Sequence, residues 1–389
     1  MAGRPSELMY VETPLLEQLK QLGWTVVQLD DSEKHDPQKS FRESFSEVVI
    51  VSRLKAALKR LNPWLNDVQI DDLCVQVQNY PHSLRQILEN NEELYDRITE
   101  GLSADNEETG EVNCPVRLID WTDVDAYDGP DETDNDFLAI SQYKVRIPGK
   151  EEYIIPDIVL FVNGLPLVVI ECKAPDITEP MAEGIDQLMR YQNRRGAEEP
   201  EGVPELFYFN QIVMSTCFHD CRYSSITGSV SHFMEWKDAY PYKLRDINPN
   251  GKPSAQEIAV TGMLEPSHLL DIVQNFIAYK DEDSGIRVKL VPRYMQYRGA
   301  NKIIERLRNA AKGEKGGTLW HTQGTGKTLT MMFIIRKMYN SFDLNNYKVV
   351  LIVDRKDLQT QLFKTTKTVK YAINIAGSID GLKDLIKNT

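Results

Sequence analysis

Apolar and polar positions along the chain change their period several times, and each change marks an element. Leu15, Leu16, Leu19 and Leu22 form one face of a helix that Thr13-Pro14 starts and Gly23 stops. "FSEVVIVSRLKAALKRLNP" has the same helical period up to Asn62-Pro63. Two more helices are expected near 67–79 and 83–100. "FLAISQYKVRI" (137–147) alternates as a strand does. "IPDIVLFVNGLPLVVIECKAP" (155–175) supplies two apolar strands around an Asn163-Gly164 turn. "PMAEGIDQLMRYQNRRG" (180–196) is helical, and "LFYFNQIVMSTC" (206–217) is rich in strand formers. "SADNEETGEVN" (103–113) and "DVDAYDGPDETDND" (123–136) read as acidic loops. These elements predict a mixed α/β domain over 1–260.

"MLEPSHLLDIVQNFIAYKDEDSG" (263–285) then reads as a connector helix and an acidic hinge, giving a linker over 261–285. From 286 to 389 the order becomes short strand, helix, strand "GGTLWH", loop "TQGTGKT", helix, and apolar strand "YKVVLIVD". That βαβ order predicts a parallel sheet covered by helices.

The opening of one hairpin strand and the end of the other carry ions. Asp157 precedes the first apolar run, and Glu171 and Lys173 close the second. Burying such groups costs several kcal/mol each unless something compensates. Glu171 and Lys173 lie two residues apart on one face, while Cys172 takes the other. A three-residue loop, 163–165, pairs Val162 with Pro166 and sets Asp157 opposite Glu171, with Gly164 left-handed; a two-residue loop shifts the register by one and separates them. Two adjacent carboxylates repel, and Mg²⁺ with its hard oxygen ligands removes the conflict. Asp157 and Glu171 are therefore the expected metal ligands. Lys173 can orient the attacking water or offset the charge that develops on a phosphodiester.

Pro156-Asp157, thirteen residues, then Glu171-x-Lys173 resembles the PD-(D/E)xK nucleases. Gln187 and Tyr191 follow four residues apart on one helix face. Gln-x3-Tyr after the lysine is similar to the extra motif of the RecB-like branch, and implies that this pair positions DNA or the active site. That branch also carries an acidic residue on an N-terminal helix; Glu12, Glu17 and Glu47 are the candidates, and the sequence does not choose among them.

Charge divides with the elements. The whole chain carries −13, but residues 286–389 hold 20 Lys+Arg and 7 Asp+Glu, a balance of +13, against −26 for residues 1–285. A basic segment can meet phosphates, whereas the acidic part confines DNA contact to a local patch. Within the basic part, Gly324, Thr325, Gly326, Lys327 and Thr328 follow Thr322 in a loop that precedes a helix. Glycines let backbone N–H groups approach phosphates at a helix N-terminus, with Lys327 reaching the outer phosphates of ATP and Thr328 its Mg²⁺. His321 stands where the strict pattern has glycine, a departure usual in superfamily 2 helicases and translocases, which this segment resembles. The resemblance implies that Gln296 reads adenine and that Asp354 and Arg355, in "IVDRKDLQTQ", help grip a nucleic-acid backbone.

The order of these motifs over essentially the whole chain resembles the restriction (R) subunit of type I restriction–modification enzymes. It implies a PD-(D/E)xK nuclease domain followed by the start of a RecA-like ATPase lobe. It also implies an ATP-driven double-stranded DNA translocase that cleaves DNA together with methylation and specificity subunits. No Asp-Glu box and no second motor lobe follow "DRKDL". The expectation is an N-terminal part of a longer R subunit that binds ATP without hydrolysing it. The alternative is an ATP-binding regulatory or assembly module with a degenerate nuclease site. Five scattered cysteines, no signal peptide and no long apolar run favour a cytoplasmic chain with reduced thiols and no membrane contact. Cys217 and Cys221, with His219 between them, fit no zinc spacing.

Overall fold

The computed structural model describes residues 7–388 apart from 82, 84–85, 127–128, 130–131, 250, 283–284 and 368–373. It divides into two compact units, 1–274 and 275–389.

The first unit is α/β, built on one seven-stranded sheet. Its strands are β1 (Thr25–Val27), β2 (Phe137–Ser141), β3 (Ile158–Val162), β4 (Leu165–Cys172), β5 (Ile212–Thr216), β6 (Cys221–Ser224) and β7 (Met234–Glu235). Spatial order follows chain order. β1 runs parallel to β2, and β4 parallel to β5; the other neighbours are antiparallel. Every residue of β2, β3, β4 and β5 is buried, so their continuous apolar character reflects layers on both faces. Helices α1 (Thr13–Gln21), α2 (Val51–Leu61), α3 (Asp67–Val77), α4 (Ile87–Glu100), α5 (Pro180–Tyr191) and α6 (Ala255–Leu264) belong to this unit; the division falls inside α7 (Pro266–Phe276). α5 is the crossover that a parallel β4–β5 pair requires.

The β3–β4 hairpin departs from the expected loop. Val162 pairs with Leu165, so the turn has two residues, Asn163 and Gly164, with φ of 53° and 81°. Both are left-handed, as a type I′ turn demands. The register is then recovered by a bulge: Phe161 pairs with Pro166 but Leu160 with Val168, which leaves Leu167 as an extra residue. One step beyond Ile158↔Ile170, Asp157 stands opposite Glu171. Gly164 also permits a close approach, because a Cβ there would lie 2.5 Å from the Ile50 carbonyl oxygen. In return Ile50 N–H donates to the Gly164 carbonyl at 2.9 Å and seats the start of α2.

Four further expectations change. The second helix begins only at Val51, and Val48, Val49 and Ile50 before it are buried outside any helix. The acidic stretch 103–113 is mostly a hairpin, Leu102–Asn106 with Glu111–Val116. The strand expected over 137–147 breaks at Gln142, whose φ of 53° is left-handed, before resuming at Val145–Arg146. The segment 263–285 is not one helix and a hinge: after α7 it enters a hairpin of β8 (Ala278–Asp281) and β9 (Arg287–Leu290). Positions 283–284 of the expected hinge lie outside the described residues.

The second unit contains that hairpin with α8 (Tyr294–Asn309), α9 (Lys327–Asn340), α10 (Lys356–Lys367) and α11 (Ile379–Asn388). Its core joins Phe276 to Tyr297 and Phe333, with ring centroids 5.1 and 5.2 Å apart. The segments 316–321 and 347–354, expected as strands, have no ladder pairing among the described residues. Trp320 is 80% exposed and Ile352 90%. A parallel strand buried on both faces needs a neighbour at each edge; here neither segment has one, so its apolar side chains face solvent.

Candidate active site

The turn and bulge bring three ionic groups to one place. Glu171 is fully buried; Asp157 and Lys173 are buried beside it. Lys173 Nζ donates to Glu171 Oε1 at 2.6 Å. Asp157 Oδ2 accepts from the Cys172 backbone N–H at 2.7 Å, which fixes its carboxylate against β4. The Lys173 N–H continues the β4–β5 ladder by donating to Thr216 O at 2.8 Å.

The left-handed break at Gln142 re-aims that side chain into the site. Its amide donates to Glu12 Oε2 at 3.1 Å and Asp157 Oδ1 at 3.3 Å. Of the three upstream acids, Glu12 is thus the one at the site, and it is 2% exposed. Glu17 faces solvent on α1, and Glu47 lies in the half-buried loop before α2. Sequence reasoning missed Glu7. Its carboxylate accepts from Ala174 N–H at 3.2 Å and interacts electrostatically with Asp157 and Lys173. The structure supplies what the sequence did not mark: α1 is extended backwards by a π-helical turn, Leu8–Glu12, and i→i+5 bonding relates Glu7 to Glu12.

Gln187 and Tyr191 bind each other and the strand that delivers Asp157. Gln187 Nε2 donates to the Tyr191 hydroxyl at 2.5 Å, and that hydroxyl donates to Ile155 O at 3.1 Å. Tyr191 is buried, and the pair ties α5 to the chain just before Asp157. Gly184, earlier on α5, has no room for a side chain: a Cβ would stand 2.1 Å from Ser215 Oγ and 3.3 Å from Lys173 Cγ. Ser215 is the β5 partner of Glu171 and was also missed by sequence reasoning.

The electrostatics are strained. Burial, first, and then the Asp157 charge push the Glu171 carboxyl well above its ordinary range. Burial raises Asp157 too, against the lowering by Lys173. Glu12 is pushed up to about 8 by burial and by Asp157. Burial pulls the Lys173 ammonium down, but Glu171, Asp157 and Glu7 outweigh it and raise its pKa. Three carboxyls, of Glu171, Asp157 and Glu7, thus act on one lysine, and Glu12 adds its charge beside Asp157. Glu171 Oε2, Glu12 Oε1 and Ser215 Oγ are buried with no hydrogen-bond partner, an arrangement that normally signals a missing ion or water. Among the described residues, no three His, Cys, Asp or Glu side chains close into a ready-made cage. Mg²⁺ does not need one: it uses one or two carboxylates and keeps waters and phosphate oxygens for the rest. Asp157 and Glu171 fit that demand.

The nucleotide-loop residues gather separately in the second unit. Gly324 and Gly326 have φ of 81° and 79°, and α9 starts at Lys327. Lys327 Nζ folds back on the carbonyls of His321, at 2.6 Å, and Thr322, at 3.4 Å. Thr325 Oγ1 also donates to Thr322 O, at 2.7 Å, and Thr328 occupies the first turn of α9. Gln296 Nε2 donates to the carbonyls of Thr325, at 3.2 Å, and Gly326, at 3.3 Å, so this glutamine holds the loop. Asp354 and Arg355 are exposed before α10 and approach each other only to 3.9 Å.

Comparison with known proteins gives this geometry a context. The family described as type I restriction enzyme R protein N terminus matches residues 4–229, more than half the chain. The chain belongs to that family. Residues 295–389 match the SWI2/SNF2 ATPase family. The type I restriction enzyme HindI endonuclease subunit of Haemophilus influenzae is 29% identical over 92% of this chain and 32% of its own length. The putative MjaIXP endonuclease subunit of Methanocaldococcus jannaschii is 25% identical over 100% of this chain and 37% of its own. The putative MjaVIIP subunit of that organism is 30% identical over 70% and 24%. The R-family chain thus spans about a third of the length of the first of these relatives. Among its described residues no helix is long and apolar enough to cross a membrane, and all five cysteines are free thiols.

Proposed function

We propose that the first unit is a Mg²⁺-dependent DNA endonuclease and that the second binds ATP within a type I restriction enzyme. The observation that carries this is the meeting of Asp157, Glu171 and Lys173, with Glu171 Oε2 and Glu12 Oε1 buried and unpartnered. Asp157 and Glu171 would hold a divalent cation, which would supply charge to polarise a phosphodiester and to acidify water. Asp157 is pre-aimed by the Cys172 N–H. Lys173, held protonated by the surrounding acids, orients the attacking water and offsets charge on the phosphate as it becomes pentacoordinate. Gln142 bridges Glu12 to Asp157 and holds both carboxylates in place. Gln187 and Tyr191 fix the strand that carries Asp157.

In the second unit Lys327, now resting on the carbonyls of His321 and Thr322, would hold the phosphates of a nucleotide, and Thr328 would hold its Mg²⁺. Double-stranded DNA is the substrate, with methylation and specificity subunits as partners and ATP-driven translocation as the activity of the assembled enzyme.

Nicking of supercoiled plasmid tests the nuclease assignment. Wild-type protein nicks with Mg²⁺ and not with EDTA. Asp157→Ala and Lys173→Ala each lose about 100-fold or more, as expected for removal of a group that acts on the transition state. Equal nicking by wild type and Asp157→Ala refutes the assignment.

A further inference from the structure

Beyond Gln142 the chain runs through Tyr143 to Lys144, and there a second kind of cluster begins. Lys144 Nζ lies 3.0 Å from His35 Nδ1. The same ammonium stands 4.0 Å from the Tyr153 ring centroid and 5.0 Å from that of Phe45. Arg42 caps the same aromatic group, 5.6 Å from Phe45 and 3.7 Å from Tyr143. Among the described residues no carboxylate comes within ion-pair distance of Lys144. Its charged neighbour is instead another cation, Lys34, which is itself bonded to Asp31 at 2.7 Å. Burial, and then Lys34, lower the pKa of the Lys144 ammonium.

Aromatic faces explain why a cation can rest there. They do not supply Lys144 with a carboxylate partner; the nearby acid, Asp31, is bonded to Lys34. The hydrogen bond adds a direction. An ammonium can only donate, so in this contact His35 Nδ1 is the acceptor. His35 is exposed beside that ammonium. The cluster also adjoins the acidic site. Gln142, whose amide touches Glu12 and Asp157, is two residues from Lys144, and two residues of extended chain span at most about 7 Å. Lys34 lies close enough to Glu12 to lower its pKa.

We infer that Lys144, with His35 and Lys34, binds a backbone phosphate of the DNA strand beside the one that is cut. The inference rests on the reading of the carboxylate site as a DNA nuclease. The acidic site repels a polyanion, and a fixed cation at its edge supplies the local attraction that holds the strand across it. A phosphate contact carries no sequence information, so its loss weakens binding to all duplexes alike.

The test is fluorescence anisotropy of the 389-residue chain with a short duplex across a salt series, in Ca²⁺, alongside plasmid nicking in Mg²⁺. Lys144→Met keeps the stem over the rings and removes the charge. It lowers the slope of log K against log salt by about 0.9 and weakens binding about fivefold at low salt. Lys144→Arg restores the slope. Lys55→Met, which removes a surface partner of Asp71 on α3, serves as the control and leaves the slope unchanged. Wild-type slope and affinity in Lys144→Met overturn the inference while leaving the nuclease reading intact. Equal loss in Lys144→Met and Lys144→Arg, with a lowered melting temperature, shows a packing role and also overturns it. A wild-type chain with neither salt-dependent DNA binding nor Mg²⁺-dependent nicking removes both.

Discussion

Residues 158–170 and 347–353 are both short apolar runs, yet they end in opposite environments. The first is buried throughout as β3 and β4. In the second, Val349, Val350 and Ile352 are exposed. Hydrophobicity does not separate them; neighbours do. β3 and β4 lie between β2 and β5, so their backbone groups are paired on both edges. The later run has no ladder among the described residues, and an apolar strand gains its burial only as part of a sheet. The contrast extends to chemistry. Asp157, Glu171 and Lys173 sit on a paired, buried frame that holds them at hydrogen-bond distances. Thr322–Thr328 form an open loop that Gln296 ties and on which Lys327 rests.

The largest effect is expected at β4. Ile170→Ala removes a side chain with no solvent exposure and is expected to cost about 2–5 kcal/mol of unfolding free energy, read from urea denaturation. A cost near zero would mean that β4 is not the framework on which the site depends.

A smaller, conditional effect comes from the buried acids. Glu12 titrates near 8 in the folded chain instead of 4.5, and Asp157 and Glu171 are displaced in the same direction. Without metal, the folded state therefore retains protons that the unfolded chain has released. For Glu12 that stability is complete below 4.5 and is lost as pH rises through about 8. The melting temperature in EDTA falls between about pH 5.5 and pH 8.5, and saturating Mg²⁺ reduces the fall by taking the place of the protons. Equal slopes with and without Mg²⁺ would separate the acids from metal binding.

The smallest effect belongs to the exposed run. Ile352→Ala, at a side chain 90% exposed, changes stability by no more than about 0.5 kcal/mol. A loss comparable to that of Ile170→Ala would show the two runs to be equivalent after all.

Much of the site was legible because strand alternation is strict. Glu171 and Lys173 had to share a face, and Asp157 could reach them only in one register. The route to that register was not legible. Asn163-Gly164 is a strong two-residue turn signal, and the bulge at Leu167 that compensates for it leaves no mark in an apolar run. Gln142 was hidden for a similar reason: a left-handed residue inside an alternating stretch looks like any other polar position. Glu12 could be narrowed only by burial, and Glu7 only by the π-helical turn that precedes Thr13-Pro14. In the second unit the glycine-rich loop was plain from its residue types, since they specify backbone freedom and charge. The strands around it were inferred from hydrophobicity alone, which says nothing about whether a partner edge is present.

Anomalous diffraction from crystals soaked in Mn²⁺, a divalent stand-in for Mg²⁺, tests the two-carboxylate assignment most directly. The expected result is one strong peak between Asp157 and Glu171, within about 2.0–2.3 Å of an oxygen from each, and no peak there in Asp157→Ala. Density that leaves the space between these side chains vacant at saturating Mn²⁺, or fills it with the Lys173 ammonium alone, would contradict it.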